Sequence, residues 1–200
     1  MNASDPADSA TRSARERILL TAHDLFYRDG IRATGIDRVI AESGVTKTTF
    51  YRHFPSKNDL IRAFLEYRHR RWMDWFGAAL LRHGATPGGG LAPLAPALAE
   101  WFQNPIFRGC AFINSVAELG GVLPDVADIS RRHKDDMMRA ILELLPESPD
   151  RQAVADAVAV AVDGAIVKAQ LESSHGRTPQ AALASLERIA RALTAAAPSA

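Results

Sequence analysis

Cysteine is almost absent from this chain: Cys110 is the only one in 200 residues. A single thiol excludes an intrachain disulfide and any multi-cysteine zinc site, and it fits a reducing compartment. Long apolar runs are missing too. The most apolar stretch is broken by Asp156 and Asp163, and the opening MNASDPADSATRSA has no apolar segment of the kind a signal peptide needs. A cytoplasmic protein with no membrane partner is therefore expected. Catalytic motifs are lacking as well: there is no phosphate-binding glycine loop, no nucleophile elbow, and no histidine pair at helical spacing with a carboxylate. No enzyme activity, cofactor or resident metal is expected. His133, Asp135 and Asp136 lie close in sequence, but helix neighbours one or two apart point in different directions, so they read as solvated charges. Strand alternation and internal repeats are absent.

What is present suits a globular protein, with 47% hydrophobic and 24% charged residues. The net charge of +1 conceals an asymmetry. Up to Arg71 there are 13 basic against 9 acidic residues, net +4; the remainder has 11 against 14, net −3. From Gly44 to Lys57 the chain carries Lys47, Arg52, His53 and Lys57 with no acid, a composition that favours contact with a phosphate backbone.

Residues 1–11 are small and polar, which predicts a flexible arm. Apolar residues at helical spacing then predict a helix over 12–29 through Ile18, Ala22, Leu25 and Phe26, with Gly30 as its stop. Thr34 is placed to cap a second, short helix carrying Ile36, Val39 and Ile40 inward, ended by Gly44. Thr46 caps a third helix, with Val45, Phe50 and Phe54 toward the core, and Pro55 ends it. Ser56 and Asp59 resemble a capping box opening a long fourth helix to about residue 83, before the loop ATPGGG. Further helices are expected over 91–103, 110–119, 124–145, 150–174 and 179–196. The expected fold class is all-α, with an N-terminal three-helix domain over 12–57 and a second helical domain over 58–200.

Two short helices joined by a glycine turn and backed by a preceding helix form a helix-turn-helix, whose second helix lies in the major groove of DNA. With Phe50 and Phe54 inward, Lys47, Thr48, Tyr51 and Arg52 share the opposite face. Lys47 and Arg52 are suited to guanine O6 and N7, and Thr48 to a base edge. Thr34, Thr49, Tyr51, His53 and Lys57 suit phosphate, and Thr46 stands among them as both cap and contact.

The segment GIRATGIDRVIAESGVTKTTFYRHFPSKNDLIRAFL strongly resembles the DNA-binding domain of the tetracycline-repressor (TetR) family over about Ile18 to Leu65, notably at Gly30, Thr34, Gly44, Thr49, Phe50, Tyr51, His53, Phe54, Ser56 and Lys57. The resemblance implies a homodimeric, one-component transcription regulator that binds a palindromic double-stranded operator, a repressor released by a small-molecule effector. It implies base contacts from Lys47, Thr48 and Arg52, and backbone contacts from Thr34, Thr49, Tyr51, His53 and Lys57. Gly35 stands where the family often has a hydroxyl residue, so a phosphate contact there falls to the backbone amide.

In the second domain, Trp72, Phe76, Trp101, Phe102, Phe107, Cys110 and Met137 are candidates for an apolar cavity, with Asn114, Glu118 and His133 as polar anchors for a small apolar or amphipathic effector; core packing accounts for the same residues. The 150–174 helix is apolar around most of its circumference, which calls for a partner beyond its own core. From the family's four-helix dimer bundle, Val158, Ala161, Val162, Ala165, Leu186, Ile189 and Leu193 are the expected dimer contacts.

Overall fold

The computed structural model describes residues 12–195; the expected arm over 1–11 lies outside them. Among the described residues there are nine α-helices and no strand: α1(Ala14–Asp29), α2(Ile36–Ser43), α3(Lys47–His53), α4(Lys57–Arg82), α5(Leu94–Phe102), α6(Ala111–Leu119), α7(Pro124–Leu144), α8(Arg151–Ser174) and α9(Gln180–Ala195). The all-α class read from periodicity is the one observed.

Local chemistry sets the helix ends. Ser13 Oγ accepts from the Glu16 N–H at 3.2 Å to open α1, and Thr46 Oγ1 accepts from the Thr49 N–H at 3.1 Å to open α3. Ser56 Oγ accepts from the Asp59 N–H at 3.2 Å and donates to the Asp59 carboxylate at 2.7 Å, fixing the first turn of α4. One cap is corrected. Gly35, not Thr34, occupies the N-cap of α2 and supplies no side-chain hydrogen bond. Thr34 is fully buried, and its hydroxyl donates to the Gly30 carbonyl at 2.7 Å, satisfying an orphan acceptor at the end of α1.

Gly44 ends α2 in the left-handed region, φ 63 and ψ 36, with its N–H turned to the Ala41 and Ile40 carbonyls. A Cβ there would meet nothing within 4 Å, so the cost of a side chain is purely conformational. Gly44→Ala is expected to lower stability by about 1 to 2 kcal/mol, and Gly44→Asn by less, because asparagine tolerates this backbone better. Thermal unfolding of the two variants checks the order.

The chain forms two compact units. The first comprises the residues up to Arg70 with Ala111–Ser130, and the second Arg71–Cys110 with the residues from Arg131 on. In the first, α1, α2 and α3 close around Ile18, Leu25, Phe26, Ile31, Val39, Phe50 and Phe54, joined by Leu60, Phe64 and Leu65 of α4. Phe26 and Phe64 meet edge to face at 5.4 Å. Arg17 Nε donates to the Ser43 carbonyl at 3.3 Å, tying α1 to the end of α2. Arg68 is buried with its guanidinium carbon 4.0 Å from the Tyr27 ring centroid, which nothing in the sequence pattern foretold.

In the second unit, α8 and α9 pack as an antiparallel pair with α5 against them. The ATPGGG loop is pinned to the end of α7, where Gly88 and Gly90 N–H groups donate to the Glu143 and Leu144 carbonyls at 2.9 and 2.7 Å. The apolar phase of α8 differs from the expected one. Val158, Val162 and Ala165, with Leu186 of α9, are buried inside the single chain, so they are core rather than dimer surface. Ala161 and Leu193 are half-buried, and Ile189 alone of the seven expected contacts is exposed. The large apolar side chains that α8 leaves outside are Val160, Val167 and Leu171.

Candidate nucleic-acid interface

α3 has only seven residues, too few to be helical in isolation, so its shape depends on what holds it. Phe50 is fully buried and Phe54 nearly so, their ring centroids 6.3 Å apart, and Val45 is half-buried beside the turn. Arg15 of α1 covers the far side of Phe54, its guanidinium carbon 5.1 Å from the ring centroid. With that side committed to the core, Lys47, Thr48, Tyr51 and Arg52 are exposed together on the other. Tyr51 is 41% exposed and braced edge to face on Phe50 at 5.2 Å, so its hydroxyl is held at the surface by a ring that cannot move.

Thr49 is half-buried, its hydroxyl 2.9 Å from that of Thr46, and His53 is half-buried at the last turn of α3. Lys47 Nζ lies 3.8 Å from the Asp37 carboxylate of α2; with side chains 70% and 90% exposed, the pair is a loose surface contact that a phosphate would outcompete. Two sequence-derived candidates are placed less simply. Thr34 offers no hydroxyl to solvent, for the reason given above. Lys57 turns back: its Nζ donates to the Ile31 carbonyl at 2.6 Å and lies 5.9 Å from the Phe26 ring centroid. Burial pulls its pKa below the ordinary lysine value, against the opposing pull of the Glu118 carboxylate.

The residues named for an effector cavity separate between the units. In the second unit Trp72 stacks on Phe76 at 4.6 Å and meets Trp101 and His133 edge to face at 5.6 and 5.0 Å, while Phe107 meets Trp101 at 5.1 Å and Phe102 at 5.2 Å. Cys110 and Met137 are buried. The Trp72 indole N–H is buried without an acceptor among the described residues. Two open clefts of this unit, about 290 and 270 Å³, are lined by other residues: one by Leu91, Leu94, Leu186 and Arg191 among others, the second by Gly88, Leu145, Arg151 and Val154 among others. Asn114 and Glu118 belong to the first unit. Glu118 accepts a hydrogen bond from the Arg32 N–H at 2.8 Å, so its carboxylate serves the turn between α1 and α2. Nothing in the spacing of AFINSVAEL signals that partner.

Among the described residues, no group of three or more His, Cys, Asp or Glu side chains is arranged to hold a metal ion, and no helix is long and apolar enough to cross a membrane.

Comparison with known proteins bears on this surface directly. The signature of the bacterial regulatory proteins of the tetR family matches residues 18–64, which include the whole of α2 and α3. An uncharacterised HTH-type transcriptional regulator in the lacX 3′ region of Lactococcus lactis subsp. lactis is 26% identical over 169 residues, 82% of this chain and 77% of that one. The crystal structure of a TetR-family transcriptional regulator from Streptomyces coelicolor is similar at a TM-score of 0.78 and 32% identity, over 90% of this chain and 96% of that chain. A TetR transcriptional regulator from Chloroflexus aurantiacus shares the fold, with a TM-score of 0.72 at 21% identity over 94% of this chain and 96% of that chain.

Proposed function

Since this chain belongs to the TetR family and is a transcriptional regulator, we propose that it is a homodimeric repressor that leaves a palindromic operator when a small effector binds. The observation that carries the reading is the exposed, acid-free face of α3, seated by Phe50 and Phe54 and presenting Lys47, Thr48, Tyr51 and Arg52 together. Lys47, Thr48 and Arg52 read base edges; Thr46, Thr49, Tyr51, His53 and Lys57 engage the backbone. Thr34 contributes from inside, by fixing the turn whose Gly35 amide faces phosphate. Functionally the DNA-binding domain extends over 12–57 and the effector and dimerisation domain over 58–200. The protein works in the cytoplasm and catalyses no reaction.

An effector of apolar or amphipathic character fits the aromatic group around Trp72 and Trp101, where an acceptor atom on the ligand would satisfy the Trp72 N–H. Leaving such a donor buried and unpaired costs about 1 to 3 kcal/mol, the same range as the coupling needed to change operator occupancy several-fold. For the dimer, two α3 helices must present themselves about 34 to 36 Å apart to enter successive major grooves.

The dimer face is the stripe Val160, Val167 and Leu171 of α8 with Ile189 of α9. Val160 is 73% exposed in the single chain, so Val160→Arg leaves the fold intact and places a charge in the seam. Sedimentation at micromolar concentration should then find a one-chain species where the parent sediments as two. An unchanged dimer would move the interface elsewhere. For the function as a whole, genomic fragments captured by the purified protein should be enriched in one imperfect palindrome; fragments without a common sequence would refute operator recognition.

A further inference from the structure

Arg15 stands in the first turn of α1, between Ala14 and Glu16, whose N–H donates to the capping Ser13 hydroxyl at 3.2 Å. Local electrostatics does not favour a base there. The start of a helix presents unpaired N–H groups and a partial positive charge, so an acid stabilises it and a guanidinium does the opposite. The side chain is exposed and forms no ion pair among the described residues. Its guanidinium carbon lies 5.1 Å from the ring centroid of Phe54, the residue that closes α3. Arg17, the next cation on α1, is already engaged: its Nε donates to the Ser43 carbonyl at 3.3 Å and its Nη1 to the Arg12 carbonyl at 3.1 Å. Lys57 is turned to the Ile31 carbonyl. Arg15 therefore brings to the end of α3 a full charge with no other employment, from a part of the sequence well before Gly44 to Lys57.

We propose that Arg15 is a further contact to operator DNA, a guanidinium held at the end of α3 by the Phe54 ring to take a backbone phosphate. This rests on the reading that the exposed face of α3 enters the major groove. That groove is about 12 Å wide, so a helix seated in it has phosphates on either side, and a cation at its end meets them rather than base edges. A guanidinium resting over a ring face keeps its N–H groups for other acceptors, and its fork matches two phosphate oxygens. Placing the side chain over the ring before DNA arrives also lessens the freedom it loses on binding. The contact reads no base and strengthens binding to every sequence alike.

Three variants test this, each titrated by fluorescence anisotropy onto a random-sequence duplex of about three helical turns over a range of salt concentrations. Arg15→Met keeps an unbranched chain over Phe54 and removes the charge, and Arg15→Lys keeps the charge. Arg70→Met removes an exposed cation of the same unit from α4, which rises about 20 Å between Lys57 and Arg70. Thermal unfolding accompanies each titration. Arg15→Met should melt with the parent, its plot of log affinity against log salt should be shallower by about one for each chain bound, and its affinity at about 0.1 M salt should fall about ten-fold. Arg15→Lys should keep the parent's slope and lie within about three-fold of its affinity. Arg70→Met should bind like the parent, because charges at that salt are screened over about 10 Å. Parent-like binding and slope in Arg15→Met would overturn the proposal, and so would an equal loss in Arg70→Met, which would make Arg15 part of a general charge effect. Arg15→Lys losing as much as Arg15→Met, with both melting below the parent, would assign Arg15 to the packing of Phe54 and overturn it too. A protein carrying both Lys47→Met and Arg52→Met that binds like the parent would instead refute the reading that the α3 face meets DNA.

Discussion

Phe50→Ala is expected to destabilise the first unit by about 3 to 5 kcal/mol, the largest effect of any single truncation in the DNA-binding segment. Phe50 is fully buried, meets Phe54 on one side and braces Tyr51 on the other. A helix of seven residues has no independent stability, so losing the ring removes the reason for α3 to be ordered. Against a typical domain stability of about 5 to 15 kcal/mol, the loss leaves little reserve. Urea unfolding should move to a clearly lower midpoint, and DNA binding should fail at temperatures where the parent binds. A midpoint within error of the parent would contradict the packing described for α3.

Arg52→Ala is expected to leave stability unchanged and to damage recognition. Arg52 is exposed on α3, so truncation opens no cavity. A bidentate arginine on guanine discriminates by about 1 to 3 kcal/mol, or about 5- to 150-fold in affinity for the preferred sequence. Titration onto an operator and its single-base variants should find the loss concentrated at one base pair in each half-site. A uniform loss across all variants would assign Arg52 to the backbone instead.

The two variants divide as the sequence pattern itself divides. Helix limits were legible where the residues that set them act locally: Thr46 and Ser56 cap the helices they precede, and Gly44 adopts the φ 63 that stops α2. The inward and outward faces of α3 were legible for the same reason, since an apolar residue at every fourth position has one way to be buried. Thr34 misled because a threonine before a short helix has two local partners to choose from, an N–H of that helix or a preceding carbonyl, and here its hydroxyl donates to the half-buried Gly30 carbonyl. On α8 the apolar residues run around the circumference, so periodicity carried no information about which stripe faces inward; burial of Val158, Val162 and Ala165 decides it. The partners of Glu118 were beyond reach for a different reason. Arg32 lies 86 residues away, and a long-range hydrogen bond to a backbone N–H leaves no trace in residue type.

The same limit applies to the aromatic group of the second unit. Composition marked Trp72, Phe76, Trp101 and Phe107 as candidates for a cavity or for plain core; their rings meet, and whether a ring packs or lines a cavity depends on the gaps between rings rather than on the rings. Among the described residues of that group, the buried Trp72 N–H is left without an acceptor.

The central claim is that the exposed face of α3 reads base sequence. Its most direct test is the ratio of affinities for a duplex carrying the captured palindrome and for the same duplex scrambled, measured at one physiological salt concentration with the parent protein. Sequence reading by two α3 helices predicts a ratio of about 1,000 or more. A ratio near one would mean that this surface holds DNA by charge alone, and the assignment of Lys47, Thr48 and Arg52 to bases would fall.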